Sequence, residues 1–181
     1  VRLAKNGGKG AAVISGLYVA DNMNFTHAIQ IDADGQHDLA AVTDFLDQAH
    51  HNPQALVCGY PIYDQTVPLS RLWGRELTNF WVHVNTRSKA LRDAMCGFRV
   101  YPLAQTLPVL PSVKTRRMDF DPDIVVRLIW AGVTVINRPV RVTYPKDGIS
   151  HFRGFSDNMR ISRLHAGHFC TMLLRRMGLA K

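Results

Sequence analysis

Apolar and polar positions along the chain alternate between two periods. After the polar stretch "NGGKG", Val13, Leu17 and Ala20 recur at helical spacing and predict a helix over residues 11–20. The apolar run at 27–31 predicts a short strand. Residues 38–50 predict a helix whose opening acid, Asp38, suits the positive end of the helix dipole. "ALVCGYP" reads as a buried strand ended by Pro61, residues 69–86 as a long helix with high aromatic content, and "CGFRVYP" as a shorter strand. "FDPDIVVRLIWAG" carries helix-start signals, with Asp121 as N-cap and Pro122 at the first helical position, and Gly132 as its stop. A strand follows over 133–142, in which Pro139 predicts a bend or an edge position. The stretch 144–155 reads as a basic, polar loop, and the last helix runs from about Ser156 to Met177.

Strands alternating with helices point to an α/β layer architecture. With 181 residues and 46% hydrophobic content, the chain can bury one sizeable core, so a single globular domain is expected. The pattern divides it into residues 1–155, and a basic amphipathic helix, 156–181, packed on the domain or on a membrane surface. On that helix Ile161, Leu164, Phe169, Met172 and Leu173 gather to one side, with Arg160, Arg163, Arg175 and Arg176 supplying charge. A formal net charge of +8 favours an anionic partner, without choosing among nucleotide, lipid phosphate, membrane or nucleic acid. Nucleic acid is not expected, because no recognition motif or aromatic-interleaved basic strand accompanies the charge. Cys58, Cys96 and Cys170 form no CxxC pair, which argues against a disulfide framework or a cysteine zinc site and fits a reducing cytosolic setting. No apolar run approaches the roughly 20 residues needed to span a bilayer.

The chemistry concentrates in "HAIQIDADGQHDLAAV", where an apolar strand runs into aspartates. In extended backbone Asp32 and Asp34 project to one face, a geometry that suits one hard divalent cation. Beyond the carboxyl ends of central strands is also where open α/β sheets collect ligands. An EF-hand fails here, since its sixth and twelfth places hold His37 and Thr43 rather than Gly and Glu. "NGGKG" lacks the spacing of a Walker A loop. A glycine pair entering a helix can still let backbone N–H groups approach a phosphate. His165 and His168, three apart on a helix with few carboxylates nearby, are expected at a surface or interface rather than on zinc.

"DADGQHD" resembles the acidic metal-binding motif of family 2 glycosyltransferases, and most closely the dolichol- or polyprenyl-phosphate sugar transferase branch. "NGGKGAAV", "RDAMCGFRVY", "MDFDPDIVVRLIWAGVTVINRPVRV" and "DGISHFR" resemble further segments of that family in the same order, covering most of the chain to about residue 155. The resemblance implies a GT-A-like, Rossmann-like fold with a mixed, mostly parallel sheet flanked by helices. It implies inverting transfer of a sugar from a nucleotide-diphosphate donor to a lipid-phosphate or lipid-linked acceptor, with Mg²⁺ or Mn²⁺ as cofactor. Asp32 and Asp34 would hold the ion, with Gln36 as a further ligand. Gly8, Lys9, Ala33, Lys146, Ser150, His151 and Arg153 would lie on the donor side. Asp93 would be the catalytic base, and Arg71, Arg75, Arg92, Cys96 and Asp123 would serve the acceptor. With a phosphate acceptor, already ionised, Asp93 would instead orient neighbouring arginines.

Family members carry "VVIPVYN"-like and "DDGS"-like segments that hold the nucleotide, and this sequence has neither. The resemblance therefore implies a catalytic domain lacking its first strands and helices, prone to self-association through an exposed sheet edge. It implies a cytoplasmic location, peripheral on the inner face of the membrane. The alternative expectation is a catalytically inactive basic module that docks on anionic lipid or a protein partner.

Overall fold

The computed structural model describes residues 2–63, 67, 69–143 and 154–179, with backbone alone at 69–71 and 154–155. Helix α1 (Lys9–Asn22) leads into strand β1 (His27–Gln30), and a 3₁₀ turn (Leu39–Ala41) leads into α2 (Val42–His51). Strand β2 (Leu56–Tyr63), α3 (Leu69–Thr86), β3 (Arg99–Pro102) and the single turn α4 (Leu103–Thr106) follow. A second 3₁₀ turn (Leu110–Ser112), α5 (Phe120–Trp130), β4 (Val135–Val142) and α6 (Gly154–Arg176) complete the order.

The strands form one sheet in the order β1-β3-β2-β4. β2 and β4 pair in parallel along their whole length, whereas β3 runs against both β1 and β2. β1, β2 and β4 therefore share a direction, and the architecture is the mixed, mostly parallel α/β sheet expected. Successive residues of β2 alternate between its faces. Leu56 and Cys58 join a core with Leu17 of α1, Tyr101, and Phe120, Ile124 and Val125 of α5. Val57 joins a second core with Phe45 and Ala49 of α2, Phe98, Val100 and Val140. Helices thus cover both faces of the sheet. α6 packs on α3 and buries Ile161, His165 and His168.

Four expectations are corrected. β2 continues through Pro61 to Tyr63, because β3 pairs with β2 only at Val57 and Cys58. Further along, β2 has a single partner strand and tolerates a proline as an edge would. Pro139 does lie on an edge strand, β4. The cap of α5 is Asp119, not Asp121, which lies inside the first turn. Residues 32–34 are not extended: Ala33 and Asp34 form a turn that Gly35 closes at φ +70°. His165 and His168 are buried rather than at the surface.

Candidate active site

The end of β1 brings the acidic motif against α1 and α5. The Lys9 ammonium lies 2.7 Å from Asp32 Oδ1 and 2.9 Å from Oδ2, and 2.5 Å from Asp121 Oδ2. Asp32 rests on the backbone at Gly97, where an added Cβ would stand 2.2 Å from its Oδ1. Gly97 therefore makes the seat of Asp32. Close approach of the "NGGKG" glycines is directed at the chain itself: Cβ atoms at Gly8 and Gly10 would meet Arg116 O and Phe120. Those contacts hold α1 against α5 and aim Lys9 between the two carboxylates.

Behind Lys9 the network goes on into the core. Gln30 Nε2 donates to Asp121 Oδ1 at 3.1 Å, and the Tyr101 hydroxyl donates to Gln30 Oε1 at 2.9 Å. The fully buried Arg99 guanidinium lies 3.3 Å from Asp121 Oδ1 and donates to Tyr101 Oη, Asp121 O and Ala94 O. Burial works against the charge of Lys9, but the carboxylates of Asp121 and Asp32 outweigh it and hold its pKa above the usual lysine value. Burial likewise opposes ionisation of Asp121, and Lys9 and Arg99 overcome it, keeping the carboxyl below its ordinary range.

Asp34 is exposed, and its Oδ1 accepts from the backbone N–H of Gln36 at 3.1 Å, an Asx-turn. Ala33 is exposed on the same turn. Gln36 is half-buried, and its carbonyl accepts from Thr143 N at the end of β4. Burial holds the His37 imidazole below its usual pKa. The carboxylates of Asp32 and Asp34 pull the other way, while Lys9 and Arg75 add to the lowering. One ring thus lies within electrostatic reach of the acidic turn and of Arg75, and its Nδ1 is buried without a hydrogen-bond partner among the described residues.

No group of three or more His, Cys, Asp or Glu able to hold a metal ion occurs among the described residues. Mg²⁺ is ordinarily bound by one or two carboxylates together with phosphate oxygens and water rather than by a protein cage. Asp32, half-buried with both oxygens held by the Lys9 ammonium, and Asp34, exposed on the turn that follows, offer carboxylate oxygens of the kind such a site uses.

The expected acceptor residues divide. Asp93 is buried, and its Oδ1 accepts from Arg75 at 2.7 Å, Met95 N at 2.9 Å and Cys96 N at 2.6 Å, so it anchors both the turn entering β3 and the Arg75 side chain. Arg75 also lies over the Tyr63 ring. Arg92 is exposed and stacks over Tyr60 at 4.2 Å. Cys96 is buried, and an added Cβ at Gly59 would stand 3.0 Å from its sulfur. Its thiol is pushed up to about 12, first by burial, and it faces the core rather than an acceptor. The Arg71 side chain and Lys146, Ser150, His151 and Arg153 lie outside the described residues.

Asp123, expected with the acceptor set, points elsewhere. Its carboxylate accepts from Thr115 Oγ1 at 2.8 Å, Arg127 Nε at 2.5 Å and His168 Nε2 at 2.9 Å, which ties α5 to α6. Burial opposes its charge, but the bond from His168 and the Arg127 charge keep its pKa low. Sequence reasoning missed Gly97, Arg99, Gln30 and Tyr101. The one available signal was a charged residue, Arg99, in the middle of the otherwise apolar stretch "CGFRVYP".

No family model matches the chain. The chain is 25% identical over 132 residues to a dolichyl-phosphate beta-glucosyltransferase of Dictyostelium discoideum. The match covers 68% of this chain and 39% of that relative's length.

Proposed function

We propose that the chain carries the catalytic face of an inverting transferase that moves a sugar from a nucleotide-diphosphate donor to a lipid-phosphate or lipid-linked acceptor. One observation supports this most. Among the described residues Asp32 and Asp121 share the Lys9 ammonium, Asp121 also meets Arg99, and the exposed Asp34 lies on the turn that follows Asp32, so carboxylate oxygens line the way from the buried network to solvent. A divalent ion bound there would act as a Lewis acid on the departing diphosphate. Asp32 and Asp34 would hold it, with Gln36 as a further oxygen donor and Ala33 setting the turn. Lys9 aligns Asp32 with Asp121. Lys146, Ser150, His151 and Arg153 would meet the donor phosphates.

On the acceptor side Arg75 and Arg92 offer guanidinium groups to a phosphate, with Arg71 as a further candidate. Asp93 holds Arg75 in place, which matches an acceptor already ionised and in little need of a base. The similarity to a dolichyl-phosphate beta-glucosyltransferase supports the same substrate classes. Incubation with a panel of nucleotide-diphosphate sugars and a polyprenyl phosphate, with Mn²⁺ or Mg²⁺, tests the reading. A lipid-linked sugar should form, and should be lost with chelator and in Asp32→Ala and Asp34→Ala. Product that is indifferent to both would refute it.

A further inference from the structure

Two carboxylates meet at one ammonium, and they hold it unequally. Lys9 Nζ touches both oxygens of Asp32, at 2.7 and 2.9 Å, and Oδ2 of Asp121, at 2.5 Å. The Asp121 side chain is 3% exposed, and its other oxygen, Oδ1, is fixed by Gln30 Nε2 and Arg99 Nη1, so it cannot turn away from Lys9. The Asp32 side chain is 26% exposed, and among the described residues Lys9 is the one cation on it. A divalent ion on Asp32 would stand within contact distance of that ammonium and repel it. Binding of an ion by Asp32 and the hold of Lys9 on Asp32 are therefore alternatives.

The local backbone allows the ammonium to move only a short way. Lys9 opens α1 between Gly8 and Gly10, whose close approaches to Arg116 and Phe120 pin the chain on either side. Ala11 N donates to Arg116 O at 3.2 Å and pins it further. The backbone stays in place while the flexible four-carbon stem of the side chain lets the ammonium shift. Leaving Asp32 does not strand a buried charge, because Asp121 remains in contact with it.

We propose that Lys9 is an exchangeable counter-ion that regulates when Asp32 takes a divalent ion. Asp121 is its fixed anchor and Asp32 its shared partner. An ion that binds Asp32 displaces the ammonium, which withdraws onto Asp121 and stays there. This competition lowers the affinity for the free ion, so a ligand that brings further oxygens, as a diphosphate does, tips the exchange. The inference rests on the transferase reading for the role of Asp32, and its test does not depend on turnover.

The test is calorimetric titration of the chain and of Lys9→Gln with Mn²⁺, with folding checked by thermal melting. The variant should bind the ion about tenfold or more tightly, the size of one lost hydrogen bond between charged groups. Loss of a charge acting at a distance would also tighten binding, and Asp121→Asn separates the two causes. With Lys9 present, Asp121→Asn removes the anchor to which the ammonium withdraws and should weaken Mn²⁺ binding by about tenfold. In the Lys9→Gln background the same substitution should change it by less than about threefold, whereas charges acting at a distance give one factor in both. In the unaltered chain, isotope-labelled at lysine nitrogen, the Lys9 ammonium resonance should shift on titration with Mg²⁺. Equal or weaker Mn²⁺ affinity in Lys9→Gln, one factor for Asp121→Asn in both backgrounds, or a Lys9 resonance unmoved at saturating Mg²⁺ would overturn the exchange and leave the ion site standing. No Mn²⁺ binding by either protein would overturn it together with the transferase reading.

Discussion

Two clusters grow from the first turn of α5 and behave differently. Asp121 and Asp123 are two positions apart, about 200° around the helix, so they face opposite partners. Asp123 enters a closed junction, where Thr115, Arg127 and His168 occupy its oxygens and the side chain is 1% exposed. Asp121 enters a chain of contacts that opens outward, through Lys9 to Asp32, whose side chain is 26% exposed, and on to the exposed Asp34. The first cluster is balanced by its own residues and holds helices together. The second opens to solvent at Asp32 and Asp34, which is the end the proposed ion would enter. Similar residue types thus close one cluster and leave the other open to solvent, and the proposed function puts the chemistry in the open one.

The comparison can be broken by substitution. Asp121→Ala leaves Lys9 and Arg99 without their shared carboxylate in a buried setting and should cost roughly 3–5 kcal/mol in denaturant unfolding. Asp123→Ala should cost less, because Arg127 is a quarter exposed and can turn to water. The reverse ranking would erase the distinction drawn between the two clusters. Gly97→Ala places a methyl where Asp32 sits. It should weaken Mn²⁺ binding by about 10- to 100-fold while changing stability by no more than about 1 kcal/mol, since the Asp32 carboxylate can swing into solvent. A large loss of stability with unaltered ion affinity would make Asp32 a structural residue.

Smaller effects sharpen the closed side. Burial holds the His165 pKa at about 4, with the nearby His168 charge acting in the same direction. The unfolded chain takes up this proton near pH 6.5 and the folded chain only near 4, so the unfolded state binds more protons between those values. Stability should be level above pH 6.5, fall by on the order of 3 kcal/mol as pH drops to 4, and level off again. His165→Gln should flatten that fall, as read by melts across pH. Thr115→Val removes one hydrogen bond to the Asp123 carboxylate and should cost about 1.5 kcal/mol, with no effect on ion binding.

Local signals carried much of the fold. The bounds of α3, the position of Pro139 on an edge, and the alternation of strands and helices were all legible, because each rests on periodicity or on one residue's backbone chemistry. The direction in which α3 faces was not legible. The apolar stripe of Trp73, Leu77 and Phe80, at helical spacing, predicts burial, and only contacts with Ala94 and His165, distant in sequence, turn it outward. In the site, the acidic turn announced itself, but its backbone did not, since Gly35 bends what strand spacing reads as extended. Lys9 read as a phosphate ligand because nothing near it in sequence reveals Asp121. Asp121 looked like an ordinary helix-start acid for the same reason. His165 and His168 share a side of α6 with Ile161, and that apolar company was the clue to their burial.

The most direct measurement is Mn²⁺ binding by the chain, followed by calorimetry with and without a nucleoside diphosphate. The account predicts one ion per chain, bound more tightly with the nucleotide, lost in Asp32→Ala and Asp34→Ala, and retained in a folded Asp123→Ala. No binding even with nucleotide present, or binding that survives loss of Asp32 and Asp34, would contradict it.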